Sequence, residues 1–160
     1  MRWVYCEQWN GLLGKPLTPI DENEARRRHE TGELYTAVGN GSGQERILVQ
    51  VRLENGYVGI KFLDDRGRDE LIYNFRVTDE KLFLRKIIAY TYDELGANER
   101  VPLIVESITY KPDGTCRNKV DDLRVDHVTE TDYDMVDVDV HWEPIPSFGD
   151  YDSIVRRERD

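Results

Sequence analysis

Residues 46–77 read RILVQVRLENGYVGIKFLDDRGRDELIYNFRV. Ile47, Val49, Val51 and Leu53 alternate with Arg46, Gln50 and Arg52. That period of two puts apolar and polar side chains on opposite faces of a strand. Asn55-Gly56 follows, a dipeptide whose tolerance of positive φ suits a tight hairpin turn. Val58, Ile60 and Phe62 form the return strand, and Asp64 to Arg68 turns the chain again. Leu71, Tyr73, Phe75 and Val77 then alternate with Ile72, Asn74 and Arg76. Three strands joined by short turns predict an antiparallel meander.

Toward the N-terminus, residues 3–9 alternate as a strand, and Gly11 to Pro19, with two prolines and two glycines, reads as a loop. Asp21 with Glu24 forms a capping pair and Gly32 a stop, which predicts a short polar helix over 22–31, lying on the surface for want of an apolar stripe. Leu34 to Val38 reads as a short strand. Toward the C-terminus, residues 78–96 admit two readings. A helix capped by Thr78 and stopped by Gly96 gathers Phe83, Leu84, Ile87, Ile88, Thr91 and Leu95 on one face. A strand over 82–92, entered through a turn at 78–81, suits the Phe, Ile, Tyr and Thr content and the β-rich surroundings. The strand is the reading adopted; the helix would make the fold α+β.

Residues 103–110 and 116–120 predict a hairpin closed by Lys111-Pro112-Asp113-Gly114-Thr115. Val136, Val138, Val140 and Trp142 alternate with Asp137, Asp139 and His141, predicting a further strand. Tyr133 and Met135 lie on the opposite parity, so a β-bulge is expected between 135 and 136. The sum is a mainly β fold, an antiparallel meander forming a small barrel or a strongly curved sheet, with one surface helix. Strands at turn spacings of about ten residues make the pattern similar to small lipocalin-like barrels, in architecture only. Residues 1–146 are read as a single domain and 147–160 as a C-terminal tail, with a short helix near 153–158.

A chain of 160 residues with 16 aromatics supports one domain with its own core. Glu7, Gln8 and Asn10 interrupt the N-terminal apolar run, and no run of 18 apolar residues occurs, so neither a signal peptide nor a membrane span is expected. The expected location is the cytoplasm, with Cys6 and Cys116 as reduced thiols. The net charge of −10 is unevenly placed. Residues 1–120 carry 19 acidic and 18 basic side chains, whereas 121–143 carry nine acidic and one basic. Without a basic stripe the chain is not expected to bind nucleic acid.

Asp137, Asp139 and His141, at period two, would share one strand face, where two carboxylates and an imidazole could hold Zn²⁺ or Mn²⁺. Against this stands a solvated strand face guarding a sheet edge. Asp121, Asp122, Asp126, Glu130, Asp132 and Asp134 lack the glycine and spacing of a calcium loop. Gly39-x-Gly41-x-Gly43 precedes a strand rather than a helix, so it reads as a loop and not a phosphate cradle. Arg26-Arg27-Arg28-His29 fans around a helix and pairs with Glu22 and Glu24. No nucleophile, base or cofactor motif emerges. The primary expectation is a non-enzymatic acidic protein of inhibitor or immunity type. It would engage a basic protein partner through Asp132, Asp134, Asp137 and Asp139. The alternatives are a lipocalin-like carrier of a small apolar ligand and a metal-dependent enzyme.

Overall fold

The computed structural model describes residues 1–41, 45–95 and 99–159. Gly43 of the expected glycine loop and Gly96 of the alternative helix lie outside them. The strands are β1 (Val4–Asn10), β2 (Lys15–Ile20), β3 (Tyr35–Asn40), β4 (Arg46–Arg52), β5 (Tyr57–Leu63) and β6 (Asp69–Thr78). They continue with β7 (Lys81–Tyr92), β8 (Pro102–Tyr110), β9 (Cys116–Asp122), β10 (His127–Tyr133) and β11 (Trp142–Glu143). Helix α1 spans Glu22–Thr31. All strands join one antiparallel sheet in the order β10-β9-β8-β7-β6-β5-β4-β3-β1-β2, with β11 pairing on β7.

The meander read from residues 46–77 is present, extended through β7 as a strand. Thr78 pairs with Lys81, so Asp79 and Glu80, both at positive φ, make a two-residue turn. The barrel alternative is not realised, because the edge strands β10 and β2 do not pair with each other. The sheet is strongly curled nonetheless. The Arg100 guanidinium donates to the Gly11 carbonyl at 3.3 Å, although β8 and β1 stand six strands apart in the order. In a flat sheet that interval would be about 29 Å, at roughly 4.8 Å per strand.

One face of the sheet carries the main core. Tyr35, Val49, Ile60, Phe62, Tyr73, Phe75 and Leu84 line it, joined by Ala25 of α1. The Asp21 carboxylate accepts from the Glu24 backbone N–H at 2.8 Å, and Gly32 closes the helix at φ 81°. Arg28 bridges Glu24 at 2.8 Å and Glu7 of β1 at 2.7 Å, tying this surface helix to the sheet. Cys6, Val38, Leu48 and Leu63, with Trp9 against them, form a smaller cluster elsewhere on the sheet.

Four local expectations are corrected. Residues 15–20 are a strand rather than loop: β2 pairs with β1 alone and forms a sheet edge, the position at which a strand tolerates proline. The strand expected at 136–142 is instead an irregular crossing followed by a 3-10 turn at Asp139–His141, and only Trp142–Glu143 pair as strand. The phase change at Met135 is a left-handed residue, φ 56°, at which the chain leaves the sheet, not a bulge within a strand. No helix forms at 153–158; Asp152 to Val155 make a turn, and Tyr151 and Ile154 are fully buried in the main core.

Gly114 pins the crossing chain. It sits at φ 86°, its carbonyl accepts from the Val136 N–H at 3.0 Å, and a Cβ there would stand 2.8 Å from the Val136 carbonyl oxygen. Gly114→Ala therefore combines a left-handed backbone with a backbone clash and is expected to cost about 2 kcal/mol. Urea unfolding measures this; an unchanged midpoint would mean that Val136 is not seated against the turn.

Candidate functional site

Beyond β7 the sheet runs out past its core. Strand β8 is half-buried apart from exposed Glu106, β9 alternates in exposure at its start, and all seven residues of β10 are exposed. Val128, Thr129, Thr131 and Tyr133 supply the β-branched and aromatic content that makes 127–133 a strand. The hairpin closes through Arg124, which donates to the Asp122 carboxylate at 2.9 and 2.7 Å, and through Asp126 at φ 50°. Register fixes the faces. Val128, Glu130 and Asp132 of β10 lie opposite Asp121, Lys119 and Arg117, while His127, Thr129, Thr131 and Tyr133 occupy the other face.

Charge is unevenly compensated on this hairpin. Arg117 clamps Asp132 with two bonds, 2.7 and 3.1 Å, and reaches Glu130 at 3.9 Å. These hydrogen bonds from Arg117 hold the Asp132 carboxyl below the usual carboxylate range, and Arg124 does the same for Asp122. Glu143 is withdrawn altogether: it is buried and bridged by Arg156 and Arg159. Among the described residues, no ion pair involves Asp121, Asp126, Asp134, Asp137 or Asp139. All but the half-buried Asp121 are exposed.

No protein-family model, curated protein or solved structure matches this chain.

The residues singled out for metal binding are placed as follows. Asp137 and Asp139 are exposed, and the Asp137 carboxylate accepts the Asp139 N–H at 3.0 Å. His141 is turned inward by the 3-10 turn and buried, its Nδ1 2.9 Å from the Leu84 carbonyl and its ring 4.1 Å from that of Tyr110. The shared strand face that would have joined the three does not form. Among the described residues, no group of three or more His, Cys, Asp or Glu side chains is arranged to hold a metal. Asp132 and Asp134, expected at the partner surface, stand exposed at the end of β10 and just beyond it.

Several recesses border the sheet. A broad groove of about 960 Å³ runs beside the hairpin, lined by Thr109, Lys111, Cys116, Arg117, Asp132 and Tyr133. A second, of about 320 Å³, lies among Trp9, Leu48, Lys61, Arg68, Tyr90 and Tyr92. Its charges are already engaged: Lys61 pairs with Asp69 at 3.0 Å and Arg68 with Asp64 at 2.7 Å, the Arg68 guanidinium stacking on Tyr92. Tyr35, Phe62, Phe75 and Tyr151 are all buried in the main core. No helix among the described residues is long and apolar enough to cross a membrane. Burial pushes the Cys6 thiol up to about 11, and Cys116 is also raised, which disfavours the thiolate form of both.

Sequence reasoning missed a buried polar chain. His29 Nδ1 lies 2.9 Å from the Tyr35 hydroxyl, which lies 2.9 Å from that of Tyr151. His29 and Tyr35 are only six residues apart, but nothing in the sequence joined them to the distant Tyr151. Burial lowers the proton affinity of both His29 and His141 from the ordinary 6.5. Above about pH 6.5 neither folded nor unfolded chain holds the proton, so no difference arises. As pH falls below that value, the unfolded chain takes up protons that the folded one refuses. Stability must then fall with pH, by at most about 1.4 kcal/mol per pH unit for each histidine. Urea unfolding at pH 7.5 and 5.5 should show a loss that shrinks in the His29→Gln and His141→Gln variants; equal slopes in all three proteins would refute the assignment.

Proposed function

We propose that this protein is a non-enzymatic binding protein of inhibitor or immunity type, engaging a basic protein partner through the β9–β10 hairpin and the segment after it. The observation that carries this reading is the placement of the acidic segment. It folds outward as the last hairpin of the sheet, with β10 exposed along its whole length and Asp126, Asp134, Asp137 and Asp139 exposed without ion pairs among the described residues. A surface with a net excess of carboxylates steers an oppositely charged partner, and that steering weakens as salt rises. Two free thiols, Cys6 and Cys116, fit a reducing, cytoplasmic setting.

The test replaces Asp132, Asp134, Asp137 and Asp139 by Asn. Immobilised wild-type protein is expected to retain basic proteins from a lysate at low salt, and to release them at high salt. The fourfold variant is expected to retain at least tenfold less of the same proteins. An unchanged set of retained partners removes the proposal.

A further inference from the structure

The sheet has two edges, and they are built differently. The β2 edge carries Pro16 and Pro19, which supply no N–H, and Lys15 at its start. Prolines and charged side chains, lysine above all, are the usual means of stopping a second strand from pairing on an edge, and like charges on an acidic edge discourage only an acidic newcomer. The β10 edge, His127–Tyr133, has no proline, no lysine and no register shift against β9. It is about 23 Å long at roughly 3.3 Å per residue. Alternate backbone N–H and C=O groups point away from β9, and no described strand pairs with them.

We infer that an extended, basic segment of the partner docks on this edge as an additional strand, a mode that rests on the acidic-surface reading above. Charge selects the occupant. Asp126, Glu130, Asp132 and Asp134 mark the edge with four carboxylates; Arg117 pairs with Asp132 and reaches Glu130, Lys119 lies cross-strand from Glu130, and among the described residues no ion pair involves Asp126 or Asp134. A second copy of this chain is a poor occupant. An antiparallel pairing centred on Glu130 sets it against its own counterpart, and one centred on Thr131 sets each Glu130 opposite an Asp132, both repulsive across a sheet. An incoming strand with Lys or Arg at every second position satisfies the edge instead. Its basic side chains lie beside Glu130 and Asp132. Its other side chains lie beside Thr129, Thr131 and the half-exposed ring of Tyr133, where β-branched or aromatic residues fit best. Main-chain bonds then provide adhesion and the alternation provides selection.

Nonapeptides of three designs, equal in side-chain composition and charge, test this, with affinity measured at one salt concentration. The first alternates Lys with Thr or Val, the second groups all lysines at one end, and the third is the alternating peptide N-methylated at every second amide, prepared in both phases. The alternating peptide is expected to bind at least tenfold more tightly than the grouped one. One methylation phase should lose at least tenfold while the other is much less affected, and amide exchange should slow at alternate residues of β10 but not of β2. Equal binding by all three peptides, insensitive to methylation, overturns strand addition while leaving an electrostatic surface in place. Absence of binding by any lysine peptide overturns both.

Discussion

Truncation after Pro146 is expected to unfold the protein. The segment 147–160 looks dispensable by composition, yet Tyr151 and Ile154 are fully buried within the main core. The Tyr151 ring meets Trp3 edge-on at 5.1 Å, and Phe148 stacks on Tyr5 at 5.2 Å, under the Arg26 guanidinium. Removing a buried aromatic side chain costs about 3–5 kcal/mol and a buried Ile about 2–5. Domains of ordinary stability hold only about 5–15 kcal/mol in all. Loss of both residues, with the sheet face they cover, therefore consumes most or all of the reserve. Tyr151→Ala alone should cost about 3–5 kcal/mol. Tyr151→Phe, which keeps the ring and removes the hydroxyl that bonds Tyr35 at 2.9 Å, should cost about 1 kcal/mol. Proton NMR of 1–146 is expected to lose its dispersed signals; a folded 1–146 with a nearly unchanged melting point would show that the segment is not part of the core.

Glu143→Ala should be nearly as damaging, for a different reason. Glu143 and Arg159 are 6% and 5% exposed in their side chains and meet at 2.6 Å. The Arg159 guanidinium is enclosed further by the rings of Tyr73 and Phe75, 5.4 and 5.2 Å away, and donates to the Ile154 carbonyl at 3.0 Å. Arg156, the other partner of Glu143, is half-exposed and can turn to water. Removing the carboxylate strands a buried cation, a change that costs about 3–5 kcal/mol. The paired replacement Glu143→Leu with Arg159→Met removes both charges and should restore most of that loss, since buried ion pairs add little over apolar packing of similar volume. Thermal unfolding of the single and double variants decides this: a shift of about 10 °C for the single change is expected, and equal shifts for both would contradict a buried pair.

Legibility in the sequence followed the strength of the period-two signal. Strands β4 to β6 were plain because most of their apolar residues fall on one parity, Leu48, Leu63 and Ile72 being exceptions, and Asn55-Gly56 fixes the turn. Helix α1 was found by its caps, Asp21 and Gly32, without help from an apolar face. The 136–142 segment misled because its burial does alternate: Val138 is buried between exposed Asp137 and Asp139. That pattern arises from a loop pressed on the sheet, and a period of two cannot separate the two backbones. Strand β10 was overlooked for the opposite reason. With every residue exposed it has no apolar face to signal it, and only Val128, Thr129, Thr131 and Tyr133 mark it as β-forming. The acidic segment was visible as composition. What composition could not show was that Glu143 turns inward to Arg159 while Asp134, Asp137 and Asp139 stay outside, because Arg159 is distant in sequence and is brought there by the C-terminal segment.

The location of the binding surface is tested most directly by moving the neutralised charges. One variant converts Asp132, Asp134, Asp137 and Asp139 to Asn; the other converts Glu30, Asp79, Glu80 and Asp152, all exposed, to Gln or Asn. Both change the net charge equally. Association rates with a lysine-rich peptide, measured by stopped flow at low salt, should fall at least tenfold for the hairpin variant and less than twofold for the other. Equal losses in the two variants would contradict a binding surface on the β9–β10 hairpin.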